Sequence, residues 1–227
     1  MKTPQPSLLD PTAQQVVDRL NALAKAQLPS LLRHHLPRLP SMLLGRPVRP
    51  AKDMHFFDDK LLPIDTAQGN LLYLLARAKG ARCIVEFGTS FGVSTIYLAA
   101  GIRDSGIDGR VIGTELVPEK ATKARANLGL AGLEAYVDIL EGDARETLYN
   151  FKEPVDLLLL DGWPVLASEI LSIMEPSLAN GAIVVVDNVA QFRSDLQSVV
   201  ERMSQKPYRS TMLPFKSGTL VGVHERT

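Results

Sequence analysis

The sequence lacks the features that mark secreted, membrane-spanning or polyanion-binding proteins. Its 227 residues contain one cysteine, Cys83, so no internal disulfide can form. The 25 basic and 25 acidic residues cancel, which gives no support for nucleic acid as an obligatory partner. No apolar run approaches the ~18 residues of a membrane span, and no signal-peptide pattern is present. These absences predict a cytoplasmic protein without a membrane or nucleic-acid partner.

The most informative stretch is residues 84–94, where an apolar strand ends in an acid and turns through glycines into a helix. Such a unit is typical of the first strand–helix turn of a doubly wound sheet, where ligands bind. Gly88 and Gly92 follow a G-x-x-x-G pattern, and not the G-x-G-x-x-G pattern that admits a pyrophosphate. Glu86 at the strand end would repel a pyrophosphate but suits a cationic ligand. The loop therefore predicts S-adenosylmethionine, a nucleoside with a sulfonium and an amino group.

Two further acids follow predicted strands. Glu115 lies about 20 residues past the glycine loop, where an acid accepts hydrogen bonds from ribose hydroxyls. The alternative is that Glu86 and Glu115 are only solvated acids at strand ends. Asp143 has two interpretations: it caps the next helix in a capping box with Glu146, or it accepts a hydrogen bond from the adenine amino group. One residue can fill both roles.

A second polar group follows the last two predicted parallel strands. Asp161 and the pair Asp187 and Asn188 each come directly after a continuous apolar run, so we expect them to face the same crevice as the glycine loop. Converging carboxylates repel each other unless one is protonated or a cation lies between them. Two carboxylates and an amide oxygen suit Mg²⁺, Ca²⁺ or Mn²⁺. The alternative is that these side chains cap a helix or bind backbone amides.

The order of predicted elements gives the fold class. Five strand–helix units are followed by two extended pieces, 208–213 and 219–224, whose short connection permits only an antiparallel hairpin. We therefore expect an α/β fold with a seven-stranded, doubly wound sheet. Before it, the spacing predicts a helix over 10–28 and, because prolines recur, no long regular structure over 29–50. Residues 1–62 are predicted to form a dimer arm or a lid, and residues 63–227 the domain.

Five motifs together resemble one known family. The five motifs occur in the order and approximate spacing of the metal-dependent small-molecule O-methyltransferases, a family that includes the catechol and caffeoyl-CoA enzymes. The resemblance covers roughly residue 63 to the C-terminus. The matching residues are Glu86-x-Gly88-x-x-x-Gly92-x-Ser94, Glu115, Gly142-Asp143-Ala144, Leu160-Asp161-x-Trp163 and Asp187-Asn188.

The resemblance implies a Rossmann-like class I methyltransferase domain, with Mg²⁺ as the expected cation. It also implies two sets of site residues. The cofactor contacts would be Glu86, Gly88, Ser94, Glu115, Asp143 and Ala144, with Trp163 beside the adenine; the metal ligands would be Asp161, Asp187 and Asn188. Trp163 is equally well explained as a large apolar residue that covers the edge of the sheet.

The chain departs from that family at one position that matters for catalysis. A lysine two or three residues after the first metal-binding aspartate acts as the general base in the family, whereas this chain has Trp163 and Pro164 there. Neither side chain accepts a proton.

Three functions follow from these residues. The leading hypothesis is methyl transfer from S-adenosylmethionine to a hydroxyl of a small molecule, assisted by a divalent cation and with Asp161 as the central catalytic residue. The second is a metal-independent methyltransferase that acts on nitrogen or another nucleophile, with Asp161 as the base. The third is a noncatalytic module that binds S-adenosylmethionine or dimerises. The apolar N-terminal helix favours a homodimer.

Overall fold

The computed structural model describes residues 5–36, 54–215 and 217–225. Among these residues, the helices are α1 (Pro11–His35), α2 (Thr66–Lys79), α3 (Val93–Ser105), α4 (Pro118–Leu130), α5 (Ala144–Thr147), α6 (Ala167–Met174) and α7 (Gln197–Met203). The strands are β1 (Cys83–Phe87), β2 (Arg110–Glu115), β3 (Val137–Glu141), β4 (Val155–Leu160), β5 (Leu178–Val186), β6 (Tyr208–Leu213) and β7 (Thr219–His224).

The strands form one sheet in the order β3-β2-β1-β4-β5-β7-β6. β1 to β5 pair in parallel, and β7 lies antiparallel between β5 and β6. The predicted α/β class, the seven strands and the reversed hairpin are confirmed. The chain order reverses between β1 and β4, which creates the crevice at their carboxyl ends where ligands bind in such sheets.

Helices cover both faces of the sheet, because most side chains of β1 and β4 are apolar and those on each face need cover. One core cluster joins α1, α2 and α3 to one face, and the other joins α6 and α7 to the opposite face. The site at the end of the sheet therefore lies on a rigid, fully packed support.

The helix α1 is longer than the sequence predicts. It begins where Asp10 accepts hydrogen bonds from the backbone amides of Thr12 and Ala13, as the Asp-Pro pair indicates. It then continues through Pro29 to His35, so the prediction of irregular structure was wrong for this part. The His34 ring stacks on Phe56 at 3.6 Å between ring centroids, and this tertiary contact holds the last turns despite the proline. The later prolines, 37–50, lie outside the described residues.

The first half of α1 packs into the core of the sheet domain. Ala13, Val16, Val17 and Leu20 are buried there against α3. Asp10 also forms an ion pair with Arg103 of α3 at 2.8 Å. This helix is therefore part of the folded core, which the sequence does not reveal because it carries no motif.

Two prolines divide the segment between β4 and β5. It consists of a 3₁₀ turn (Pro164–Leu166), α6, and a second 3₁₀ turn (Glu175–Ser177) that contains Pro176. β5 begins at Leu178, directly after this second turn. Within the residues that the structure describes, no helix is long and apolar enough to cross a membrane.

Candidate active site at the carboxyl edge of the sheet

A cleft of about 520 Å³ opens at the carboxyl ends of β1, β2, β4 and β5. Its floor is the glycine loop after β1, and the segment from His55 to Ile64 covers one side. The volume lies within the range for pockets that hold cofactors and small substrates. The predicted residues that line it are Gly88, Ser94, Glu115, Asp143, Ala144, Asp161, Trp163 and Asn188.

Glu86 lies behind the cleft wall and is fully buried. Ser94 donates a hydrogen bond to its Oε1 atom, while Thr89 and Thr95 donate to Oε2. Burial raises the pKa of this carboxyl although the three hydroxyls oppose the change. Glu86 therefore holds Thr89 and Ser94, which do line the cleft, and its predicted cofactor contact stays a prediction.

The glycine loop touches the loop after β4 backbone to backbone. A Cβ on Gly88 would lie 2.5 Å from the Cα of Gly162, and the φ angle of Gly88 is +98°. Only glycine meets both requirements. The two loops that form the cleft are thus in direct van der Waals contact.

Glu115 closes the glycine loop from β2. It accepts backbone hydrogen bonds from Ser90 at 2.7 Å and from Val117 at 2.9 Å, and is 8% exposed. Lys120 lies in the same wall, where burial lowers its pKa despite the opposing charges of Glu115, Asp58 and Asp59. Glu115 is therefore fixed in a position from which a carboxylate can reach a ligand in the cleft.

Asp143 caps the start of α5, but it does so through Arg145 and not through the predicted capping box with Glu146. Its carboxylate accepts the Arg145 backbone amide at the start of α5, and it pairs with the Arg145 guanidinium at 2.6 Å. The Arg145 hydrogen bond lowers the pKa of Asp143. Trp163 lies across the cleft with its ring 5.8 Å from Phe57, edge to face. The adenine contacts of Asp143 and Trp163 stay predictions.

The structure places Asp161 and Asn188 together at the cleft, but not Asp187, which the sequence also predicts to face it. Their role as metal ligands stays a prediction. The Asn188 amide donates to Asp161 Oδ1 at 2.9 Å, and Asn188 adopts a left-handed φ of +62°. Asp161 and Asn188 line the cleft, whereas Asp187 lies behind them and is 7% exposed. Burial and the neighbouring charges of Asp187 and Glu86 raise the pKa of Asp161 well above its usual range.

This donor set fits a divalent cation. Burial also raises the pKa of Asp187. Among the described residues, no cationic side chain forms an ion pair with Asp161 or Asp187. The half-buried carboxylate of Asp161, the buried carboxylate of Asp187 and one amide form a hard oxygen set once the Asn188 amide turns its oxygen inward. Among the described residues there is no group of three histidine, cysteine or acidic side chains, so the amide is needed as the third ligand.

Several residues of the site were missed by the sequence analysis. Thr95 holds Glu86, Lys120 lines the wall, and Gln68 and Thr219 both bind Asp187. The only local signal was at Gln68, which stands three residues after Asp65 in the spacing of a capping box. The contacts of Gln68 and Thr219 with Asp187 span 119 and 32 residues of sequence, which no local pattern reports.

Comparison with known proteins agrees with this geometry. A family described as "Methyltransferase domain" matches residues 85–189, which contain the glycine loop and both aspartate positions. A catechol O-methyltransferase of Mycobacterium tuberculosis is 36% identical over 155 residues, covering 66% of this chain and 69% of that protein. A catechol O-methyltransferase of Niastella koreensis is 32% identical over 132 residues, covering 56% of this chain and 58% of that protein.

A solved structure extends the comparison to about three quarters of the chain. The O-methyltransferase TomG of Streptomyces achromogenes, in complex with S-adenosylmethionine, superposes with a TM-score of 0.68 at 26% identity, over 76% of this chain and 86% of TomG. The cofactor that the glycine loop predicts is thus the one bound by this relative. The chain belongs to the S-adenosylmethionine-dependent O-methyltransferases.

Proposed function

We propose that this enzyme methylates a hydroxyl group of a small molecule with the help of a divalent cation, Mg²⁺ being the expected one. The proposal of a cation is supported by the neighbouring carboxylates Asp161 and Asp187, which form no ion pair with any cationic side chain that the structure describes. Charges of one sign in a dry cleft are stabilised by a counter-ion.

The residues of the cleft would divide the work between cofactor and acceptor. Ser94 and Glu115 would hold the methionine and ribose parts of S-adenosylmethionine, and Asp161, Asp187 and Asn188 would hold the cation. The bound cation would lower the pKa of the acceptor hydroxyl. Holding that oxygen in line with the methyl group can lower the activation free energy by about 7–11 kcal/mol. Such positioning compensates for the missing lysine.

The apolar part of the cleft lining favours an acceptor with an apolar body. Leu62, Ile64, Pro164, Leu166 and Phe192 are among the residues that line the cleft. Two curated relatives are named catechol O-methyltransferases, and two adjacent hydroxyls chelate a cation well. We therefore propose a vicinal diol on an aromatic ring as the acceptor.

The test is methyl transfer from labelled S-adenosylmethionine to a catechol, compared with the matching monohydroxy phenol. We expect transfer to the catechol that is lost with EDTA, restored by Mg²⁺, and lost in Asp161→Ala. Full turnover in EDTA would contradict the role of the cation. Equal turnover of the phenol would contradict the choice of a diol.

A metal-independent reaction is the second candidate, because Asp161 has a raised pKa and the family's lysine is absent. A carboxyl with a raised pKa is a better general base at neutral pH. This candidate requires that chelation leaves the rate unchanged while Asp161→Asn abolishes it.

We also propose a homodimer formed through the second half of α1. Leu28, Leu32 and Leu36 follow one another at helical spacing and are 51%, 66% and 58% exposed. Apolar side chains in such a row are typical of a surface that packs against another chain. Sedimentation should show a dimer, and a monomer at micromolar concentration would contradict this proposal.

A further inference from the structure

A buried glutamine outside the cleft joins the start of α2 to Asp187. Gln68 is 6% exposed and does not line the cleft. Its amide nitrogen donates to Asp187 Oδ1 at 2.6 Å and to Thr219 Oγ1 at 3.1 Å. The segment before α2, from Leu61 to Ile64, forms part of the cleft wall.

The orientation of the Gln68 amide is fixed by its second partner. Its Oε1 atom accepts the backbone N–H of Asp65 at 3.2 Å, while Asp65 accepts the backbone N–H of Gln68 at 2.9 Å. Because a backbone N–H can only donate, the oxygen must face Asp65 and the nitrogen must face Asp187. The contact with Asp187 is therefore a true donor–acceptor pair.

Helix capping alone does not explain this side chain. A glutamate would complete the capping box equally well. It would, however, place a second carboxylate directly against that of Asp187. Glutamine is the residue that caps α2 and also donates a hydrogen bond to the aspartate.

Three side-chain donors converge on the same oxygen of Asp187. Besides Gln68, Thr219 donates to Oδ1 at 2.9 Å and Ser217 at 3.3 Å. Such donors fix the rotation of a carboxylate, as partners of metal ligands commonly do. We propose that Gln68 is a positioning residue that sets Asp187 for cation binding and fastens the cleft wall before α2 to it. This inference rests on the metal-assisted function proposed above.

The experiment is a Mn²⁺ titration followed by electron spin resonance, with each protein saturated with S-adenosylhomocysteine. The variant Gln68→Met keeps the length of the side chain and removes its hydrogen bonds. The matched control is Asn70→Leu, because Asn70 is a buried amide on the same helix that binds Leu8 and Pro6 of the N-terminal segment instead. We expect Mn²⁺ affinity to fall roughly 10- to 100-fold in Gln68→Met. It should stay unchanged in Asn70→Leu.

The outcomes separate this inference from the function on which it rests. If wild-type protein binds Mn²⁺ and Gln68→Met binds it equally well, the positioning role is overturned and the cation site stands. If wild-type protein binds no Mn²⁺, the proposed cation site fails, and the positioning role fails with it. A loss of affinity as large in Asn70→Leu would also overturn the inference, because general destabilisation would explain both.

A folding defect in Gln68→Met would not prevent the test. Thr219→Val preserves the shape of the side chain and removes another donor to Asp187 Oδ1. Weaker Mn²⁺ binding in Thr219→Val, with unchanged calorimetric affinity for S-adenosylhomocysteine, would support the inference that the hydrogen bonds to Asp187 Oδ1 set the cation site. Unchanged Mn²⁺ affinity in this variant would overturn that inference.

Discussion

At the residue scale, the acids of the site differ in what surrounds their oxygens. Glu86 has three hydroxyl donors, Glu115 has two backbone amides, and Asp161 has the single amide of Asn188. The negative charges of Asp187 and Glu86 also raise the pKa of Asp161, and that of Glu115 raises the pKa of Glu86. Their functions should separate accordingly: Glu86 holds the wall, Glu115 faces the cofactor, and Asp161 needs a cation.

Replacing Glu115 by glutamine should weaken cofactor binding. The variant keeps the shape of the side chain but replaces one carboxylate oxygen by an NH₂ group. This group can only donate, so it faces either a backbone N–H or the ribose hydroxyls in place of an acceptor. Hydrogen bonds to a charged group contribute about 1.5–3 kcal/mol, so affinity for S-adenosylhomocysteine should fall roughly 10- to 100-fold in calorimetry. Glu201→Gln, an exposed change on α7, should leave it unchanged. Equal affinities for the Glu115 variant and wild type would exclude a ribose contact.

Replacing Asp161 by asparagine should stabilise the metal-free protein in a pH-dependent way. Because the folded chain raises the pKa of Asp161 above its usual value of 3.8, the carboxyl supports folding below that value, and the support is lost as pH rises through the raised pKa. In EDTA, the variant should therefore have the higher Tm at pH 8. The difference should shrink as pH falls. A Tm difference that does not change with pH would contradict the raised pKa.

At the element scale, the loop after β1 contains two glycines that both have positive φ angles but differ in their surroundings. Gly88 and Gly92 have φ angles of +98° and +89°, but a Cβ would meet backbone at 2.5 Å in Gly88 and the Ala124 side chain at 3.6 Å in Gly92. Both alanine variants carry about 1–2 kcal/mol of strain. Gly88→Ala should lower the free energy of unfolding by about 1–3 kcal/mol more than Gly92→Ala, because of overpacking. Urea unfolding measures the stability of both variants, and equal losses would contradict the close contact of Gly88 with Gly162.

The sequence predicted the elements whose signals are local. The strand before Gly88, the acids at the strand ends and the reversed hairpin follow from runs of residues close together in the chain. The turns of α1 beyond Pro29 depend on the contact between His34 and Phe56, and the fixing of Asp187 depends on Gln68. Such contacts between distant residues override local propensity, and a single sequence does not contain them.

At the scale of the whole molecule, the buried face of the N-terminal helix should stabilise the domain that carries the site. Leu20 is 1% exposed against the core, whereas Leu23 on the same helix is 50% exposed. Leu20→Ala should cost about 2–5 kcal/mol of unfolding free energy. Leu23→Ala should stay within about 0.5 kcal/mol. Denaturant titration compares the unfolding free energies of the two variants. Similar values would mean that α1 is a loosely attached arm.

The position of Trp163 has a practical consequence for the study of this enzyme. It is the chain's one tryptophan, and its indole lies in the cleft against Phe57. All tryptophan fluorescence therefore comes from the place where the cofactor is expected to bind. Adding S-adenosylhomocysteine should change the emission, and Trp163→Phe should abolish the signal. Binding seen by calorimetry without a spectral change would place the ligand away from the indole. The native protein thus contains an optical reporter of its own occupancy, and binding can be followed in real time without a label.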